Sequence, residues 1–465
     1  MVTESFDGKR VIIIGGGSAG TTTAFELRKL NKEIGITIIE QTKYTEYSPC
    51  ALPYVIGREI YAPEKIFIYK IEDYANNDIN LMLRTMVQGI DAKNKIVKIL
   101  EEDRIVELKY DYLVLATGAL SNIPKIQGLE SSKYLLLKTI DDAREIMSDR
   151  GRRVLIIGGG LIGVEVAGIL SRDRQVTIVD SSKLLNQILD EDMSSKVKYY
   201  LEASGITVKE DVVIDRIEDG KAFIGTDILR FDTLIISAGM KPNINIAKDA
   251  EIKTSKGIIT DKNLRTSDKN IYACGDAIES ISGINGKNTI SMLGSTAVKQ
   301  AKIVAANILG IDKKSIPVFT PTISKTKELI IGSTGITEAQ AEKLGIKTIN
   351  SIVTGNTKAE YYPFGKQIIV KLISDLEGNL FGAQIIGQED VAGRINTITM
   401  ALQKQATLDD LCNLETVYNP AIAPAFDPIV IAAEICRKKI NYLAKGKQKE
   451  SKFFGLGFKK KAKNK

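Results

Sequence analysis

Apolar positions along the chain gather in short β-branched runs separated by glycine-rich turns, and the period changes from two to helical immediately after two of them. The stretch KRVIIIGGGSAGTTTAFELRKL starts with a run that predicts a buried strand, breaks at glycine, and resumes with apolar residues at helical spacing before a second strand, IGITIIEQ. The same order of strand, turn, helix and strand returns in RRVLIIGGGLIGVEVAGILSRDRQVTIVD. Further on, KQIIVKLISDLEGNLFGAQIIG alternates as a hairpin does, and RINTITMALQKQATLDDLC follows with helical periodicity. Strands alternating with helices predict an α/β chain with parallel sheets, followed by a region of antiparallel sheet and helix. No apolar run approaches the ~20 residues needed to span a membrane.

The two repeats carry chemistry. In the first, Gly15, Gly17 and Gly20, with Ser18 and Ala19 between them, follow the strand and open the helix. Glycines at this spacing permit a tight turn and a close approach of backbone to a pyrophosphate at the helix N-terminus. Glu40 closes the next strand, about 25 residues after the first glycine, where a carboxylate accepts ribose hydroxyls. In the second repeat Gly158, Gly160, Ile162 and Gly163 form the turn, Glu165 lies on the helix, and Asp180 is the terminal acid. A carboxylate there repels a 2′-phosphate, and DSSKLL offers only Lys183 against it, so NADH is expected, with NADPH left as the alternative. Three further segments bear glycine or acid at strand ends: YDYLVLATGALSNIP with Thr117 and Gly118, DTLIISAGMKPN with Gly239, and TSDKNIYACGDAIES with Gly275 and Asp276.

Composition narrows the classes. The net charge is +7, but nine lysines against one glutamate lie in residues 445–465, which leaves the rest of the chain close to neutral. A neutral body with a basic tail is not the footprint of a nucleic-acid-binding domain. The tail KGKQKESKFFGLGFKKKAKNK reads as a disordered, solubilising segment, and its interleaved Phe453, Phe454 and Phe458 offer contact with an anionic membrane face as the other reading. MVTESFDGKR lacks the apolar core of a signal peptide, so the expected location is cytoplasmic. Cysteines 50, 274, 412 and 436 show neither disulfide nor metal-ligand spacing, and the chain has no histidine. Cys274, Cys412 and Cys436 read as packing residues, whereas Cys50, in EYSPCALPYVIG, stands between a proline and a helix-like run.

Taken together, the two cradles, the ATG segment and the CGD segment resemble the pyridine nucleotide-disulfide oxidoreductase superfamily over residues 10 to 440. The resemblance implies two Rossmann-like dinucleotide-binding domains, FAD on the first cradle and NAD(P)H on the second, plus a C-terminal α+β dimerisation domain. The implied division is 1–120 with 245–322 for FAD, 121–244 for NAD(P)H, 323–444 for dimerisation, and 445–465 as the tail; the expected assembly is a homodimer. A lone cysteine in CALPYVIG, with no C-x4-C and no C-terminal His-Glu pair, is similar to the single-cysteine branch, which contains coenzyme A disulfide reductases, NADH oxidases and peroxidases, and NAD(P)H sulfur reductases. Where the peroxidase and water-forming oxidase members carry a histidine this chain has Ser18, which points toward coenzyme A disulfide reduction. The resemblance implies coenzyme contacts at Arg28, Lys29 and Lys70, and active-site tyrosines reaching the partner subunit from EYYPFGK (Tyr361, Tyr362) and TVYNPAIAPAFDP (Tyr418). Pro49, Glu26 and Glu46 depart from the pattern, and two added carboxylates disfavour a polyphosphate ligand.

A solitary thiol can do this work as a mixed disulfide. The helix N-terminus after Pro49 and a flavin ring are expected to favour the Cys50 thiolate in place of an imidazole. Glu165 is expected at the nicotinamide end, Leu161 replaces a gating tyrosine, and Tyr418 or Tyr361 of the neighbouring subunit is the expected proton source. The leading expectation is NADH-dependent reduction of coenzyme A disulfide or a related small disulfide. Its alternatives are an NAD(P)H oxidase or a sulfur/polysulfide reductase of the same family and, in another class, an electron-transfer flavoprotein serving a protein or membrane partner.

Overall fold

The computed structural model describes residues 8–101 and 104–456, with side chains up to residue 445. Two compact units divide the chain: residues 1–181 with 205–318, and residues 182–204 with 319–465. Residues 121–181 and 205–244, expected as a lobe of their own, group with the first cradle, while 182–204 group with the C-terminal unit.

In the first unit the β-branched runs pair as parallel strands. Arg10–Ile14 lies between Gly35–Ile39 and Tyr112–Leu115, with Ile79–Met82 and Ile271–Ala273 on the outside. Val11, Ile12, Ile13 and Ile14 are all buried, as both faces of a parallel sheet require. The helix Ser18–Leu30 buries Ala19, Ala24 and Leu27. A second parallel sheet orders Thr207–Lys209, Gln175–Val179, Arg153–Ile157 and Thr233–Ile236, with the helix Leu161–Leu170 following its central strand. Both cradles therefore sit at the carboxyl ends of central parallel strands, where α/β sheets bind ligands.

The second unit is built on a five-stranded antiparallel sheet ordered Thr322–Thr326, Leu329–Gly335, Leu380–Gly387, Gln367–Asp375 and Thr348–Asn356. The alternating run predicted as a hairpin forms two of these strands, paired from Ile368↔Gly387 to Ser374↔Leu380. Inside this unit Lys371, 0% exposed, is caged by Asp190 at 3.1 Å, Asp192 at 2.7 Å and Glu338 at 2.5 Å. Gln384 donates to Asp190 at 2.6 Å, so the 182–204 segment is fastened to the sheet by buried polar contacts. The helix Pro428–Leu456 corrects the expectation of an unstructured tail over residues 445–456, whose backbone is helical. The membrane-contact reading of Phe453, Phe454 and Phe458 falls on side chains outside the described residues. No helix of the described residues is long and apolar enough to cross a membrane.

Candidate active site

The two cradles are built alike. At Gly15 the backbone has φ +108°, and an added Cβ would lie 2.3 Å from the Ala116 carbonyl oxygen; at Gly158 φ is +111° and the corresponding distance, to Ser237 O, is 2.2 Å. The third glycines, Gly20 and Gly163, would put a Cβ 1.9 Å and 2.1 Å from the carbonyl oxygens of Gly15 and Gly158. These four positions are closed by the protein's own backbone. Gly17 and Gly160 differ: nothing lies within 4 Å of the added Cβ. Each is the N-cap of its helix, and neither helix start has a side-chain cap. Backbone N–H groups thus face outward at a bare helix end, which fits a pyrophosphate. The terminal acids hold equivalent places. Glu40 Oε2 accepts from Gly16 N–H at 2.8 Å, and Asp180 Oδ2 accepts from Gly159 N–H at 2.6 Å. Lys183, the one counter-charge near Asp180 in sequence, pairs with Glu191 at 3.2 Å.

The other glycine and acid segments come together in the first unit. Thr117 Oγ1 donates to Asn243 O at 2.7 Å, Asn243 N–H returns to Gly118 O at 2.9 Å, and Asn122 N–H bonds Gly239 O at 2.9 Å. Gly118 and Gly239, at φ +66° and +88°, make the turns that bring these strands into contact. Gly275 packs on the first cradle's helix, an added Cβ lying 3.0 Å from Ala19 Cβ, and its N–H is held by Gln300 at 2.8 Å. Partial burial raises the pKa of Asp276, and the charge of Lys138 lowers it; burial in turn lowers that of Lys138, against Asp276, Asp142 and Glu40. Sequence reasoning missed Lys138. Its signal was a lysine closing the apolar run LLLK just ahead of the Thr139–Asp142 capping box.

Cys50 lies in the short 3-10 turn Pro49–Ala51, which runs into the helix Leu52–Ile56 and stops at Gly57. Leu52, Pro53, Val55 and Ile56 are buried, so the turn is anchored from below, while Cys50 itself is exposed. Ser48 N–H bonds Ile66 O at 3.0 Å, and Arg172 grips the far end through Gly57 O at 3.0 Å and Glu59 at 2.5 Å. Of the expected thiol activation, the helix-end contribution is opposed by the protein groups around Cys50. Desolvation raises the Cys50 pKa above its usual 9.0, and the carboxylates of Glu165 and Asp276 raise it further. Three residues of 3-10 turn and five of α-helix supply only a short dipole. The arrangement does bring Glu165 and Asp276 within electrostatic reach of Cys50, and Glu165 and Cys50 within reach of Tyr54, which sequence reasoning did not single out. Cys274 is fully buried, its sulfur 3.9 Å from Thr23 Oγ1.

The expected coenzyme contacts divide. Arg28 is 4% exposed, and its guanidinium bonds the carbonyls of Asn77 (2.8 Å), Lys32 (2.6 Å) and Asp78 (3.0 Å), with Asn31 at 3.4 Å. It staples the end of its helix to the 77–78 turn and is not carried forward as a phosphate ligand. Lys29 and Lys70 are exposed and make no ion pair among the described residues. Phe25, between Glu26 and the cradle, stacks on Tyr69 with centroids 4.3 Å apart. Leu161 and Ile162 open the second cradle's helix, both half-buried. In the second unit Tyr361 and Tyr418 are exposed, and their hydroxyls share a hydrogen bond of 2.7 Å.

Two parallel-sheet cradles, each followed by an acid at the next strand's end, and an exposed thiol within electrostatic reach of Glu165 and Asp276 are the frame of a pyridine nucleotide- and flavin-linked oxidoreductase. Comparison with known proteins makes this specific: the chain belongs to the family described as pyridine nucleotide-disulphide oxidoreductase, matched over residues 9–301, and its residues 323–428 match that family's dimerisation domain. It is 37% identical to an NADH oxidase of Methanocaldococcus jannaschii over 93% of this chain and 99% of the relative. A CoA-dependent NAD(P)H sulfur oxidoreductase of Pyrococcus abyssi is 31% identical, with 92% and 98% covered. Among solved structures, the NAD-dependent persulfide reductase of A. fulgidus superposes with a TM-score of 0.90 at 30% identity, covering 93% of this chain and 84% of that one. The chain is therefore an NAD(P)H-dependent flavoprotein disulfide oxidoreductase, with the α/β architecture expected from its sequence.

Proposed function

We propose that the protein reduces a small disulfide or persulfide held on Cys50 as a mixed disulfide, with NADH as the electron source. The observation that carries this is the placement of Cys50: an exposed thiol within electrostatic reach of Glu165 on the nicotinamide side and Asp276 on the flavin side, its nearest cysteine in sequence, Cys274, being fully buried. Gly15, Gly17, Gly20, Glu40 and the 275–276 turn suit FAD, and Gly158, Gly160, Gly163 and Asp180 suit NADH. FAD, when bound, takes hydride from the nicotinamide and delivers the electron pair to sulfur. Lys138 balances the carboxylates beside that site, and Arg172 keeps the Cys50 turn in place. The Cys50 thiolate then attacks the next acceptor, releases one thiol and restores the mixed disulfide.

The relatives favour acceptors of this class, since they include a CoA-dependent sulfur oxidoreductase and a persulfide reductase. Coenzyme A disulfide remains the first acceptor to try, with Lys29 and Lys70 as phosphate contacts and Glu26 and Glu46 working against it. The likeness to an NADH oxidase supports oxygen as a second acceptor. The working form is a homodimer, supported by the dimerisation-domain match and by Tyr361, Phe364, Val417, Ile422 and Phe426, which are exposed on the second unit. We assign Tyr361 and Tyr418 to that contact.

The test is Cys50→Ser in the flavin-loaded protein, with intact mass measured before and after dithiothreitol. Loss of disulfide or persulfide reduction, with NADH-to-dye transfer retained, supports the reading. A reducible adduct on wild type identifies the bound thiol. A Cys50→Ser variant that still reduces disulfides at the wild-type rate refutes it.

A further inference from the structure

We propose that Tyr44 is a positioning residue for Cys50: its hydroxyl ties together the segments that hold the Cys50 turn, so that the sulfur stays where the electron pair arrives. This rests on the mixed-disulfide reading above. In the step concerned, two electrons enter the Cys50–S–S–R bond, which breaks to leave the Cys50 thiolate and RS⁻, and RS⁻ takes one proton to depart as RSH. A misplacement of about 1 Å can cost such a step ~100-fold.

The Cys50 turn has three residues, Pro49–Ala51, and no side chain caps its start. Its support comes from two sides. On one, residues 46–48 are joined to residues 66–68: Ser48 N–H bonds Ile66 O at 3.0 Å, Ile68 N–H bonds Glu46 O at 2.9 Å, and Tyr47 pairs with Phe67 as an antiparallel bridge. On the other, the helix Leu52–Ile56 packs on the helix Ile140–Ser148. Neither contact fixes the 64–68 strip against the 140–148 helix. The cluster around Tyr44 does. The buried Tyr44 donates to Asp141 Oδ1 at 2.5 Å and accepts from Arg144 Nη1 at 2.5 Å. Arg144 Nη2 reaches Glu64, in the turn Pro63–Ile66 that opens the strip, at 3.1 Å. Asp141 and Arg144 already pair within their own helix at 3.3 Å, so the hydroxyl extends a local ion pair across to the Cys50 segment. Tyr47 and Phe67 set the Tyr44 ring, their centroids 6.1 and 5.9 Å away, and so aim its hydroxyl at the helix. Lys43, 3.6 Å from Asp141, is exposed and adds only a screened attraction. Phenylalanine at position 44 would keep the ring contacts and lose the tie.

Tyr44→Phe in the flavin-loaded protein tests this by hydrogen exchange and by anaerobic stopped-flow kinetics, with hydroxyethyl disulfide as the probe. The two lost bonds are to charged groups, so amide exchange across residues 46–57 should quicken about 10-fold. Flavin reduction by NADH should stay within about twofold of wild type, while flavin reoxidation by the disulfide slows ~10–100-fold. Tyr272→Phe is the control: it removes a buried hydroxyl of the same unit, bonded to Arg265 at 3.1 Å and Asn307 O at 3.4 Å, and should leave exchange over 46–57 and both rates unchanged. Should Tyr44→Phe fail to fold, Arg144→Met must show the same contrast between the two rates. Unchanged exchange over 46–57, reoxidation at the wild-type rate, equal slowing of both rates, or the same contrast in Tyr272→Phe overturns the positioning role. No reoxidation of the wild type by this disulfide, or reoxidation that is as fast in Cys50→Ser, overturns the mixed-disulfide reading, and the positioning role with it.

Discussion

Gly17→Ala and Gly160→Ala separate nucleotide binding from folding. Both glycines have extended backbones, φ −75° and −74°, that alanine adopts freely, and neither added methyl meets a protein atom within 4 Å. Replacing glycine by alanine at an N-cap weakens the helix start by up to about 1 kcal/mol, so the fold should hold. The methyl instead occupies space in front of the bare N–H groups. Crowding by one methyl in a fitted contact costs about 1–3 kcal/mol, or roughly 5–150-fold in affinity. Gly17→Ala should therefore purify with less flavin, read from its 450 nm absorbance after dialysis. Gly160→Ala should stay fully yellow while the NADH concentration for half-maximal flavin reduction rises by that factor. Gly158→Ala serves as the contrast: with φ +111° and a Cβ 2.2 Å from Ser237 O, it should destabilise the fold itself by roughly 2–5 kcal/mol. Flavin loss in Gly160→Ala with NADH binding intact would refute the assignment of the two cradles. NADH binding within twofold of wild type would refute the steric argument.

Other outcomes follow from the same geometry. Lys371→Met leaves Asp190, Asp192 and Glu338 without their shared cation, so the transition of the second unit should drop by about 3–5 kcal/mol, or ~6–20 °C by calorimetry; Asp192→Asn, at a partly exposed site, should cost less. Because Lys371's pKa is raised in the folded state, its contribution is complete below its unfolded pKa and is lost as pH rises through the folded one. Glu165→Gln removes a carboxylate that holds the Cys50 thiol up, so alkylation of reduced protein by iodoacetamide at pH 7.5 should quicken by about 2–10-fold, and slower alkylation would contradict that cause. Arg28→Met should lower stability by about 2–4 kcal/mol through its orphaned carbonyls and leave KM for any disulfide unchanged.

Much of the cradles' backbone geometry was legible because its constraints are local. Gly20 and Gly163 are demanded by contacts with Gly15 and Gly158 inside one strand–turn–helix unit, Gly15 and Gly158 by the positive φ of the turn itself, and Glu40 and Asp180 stand at the next strand's end. The hairpin of the second unit announced itself by alternation. What escaped depends on segments distant in sequence. Lys138 gains its meaning from Asp276 and Glu40, neither near it in the chain. Arg28 looked like a surface cation on a helix end until the 77–78 turn closed over it. Beyond desolvation, part of the upward push on the Cys50 thiol comes from Glu165 and Asp276, and no reading of CALPYVIG alone contains them. Residues 182–204 join the second unit through Lys371 and Gln384, side chains whose partners lie about 180 positions earlier.

The strand Ile271–Ala273 has a bearing on how the chain is made. It forms one margin of the first parallel sheet, alongside Tyr112–Leu115, although roughly 160 residues separate them. Synthesis at about 5–20 residues per second puts some 8–30 seconds between the emergence of these neighbours. For that interval Leu113 and Leu115 present unpaired backbone on a nascent apolar sheet, a template for a second polypeptide on the same message. Chaperone dependence during translation, and aggregation when initiation is crowded, should track the arrival of residues 271–273, and a ribosome stalled before them should carry a protease-sensitive first cradle.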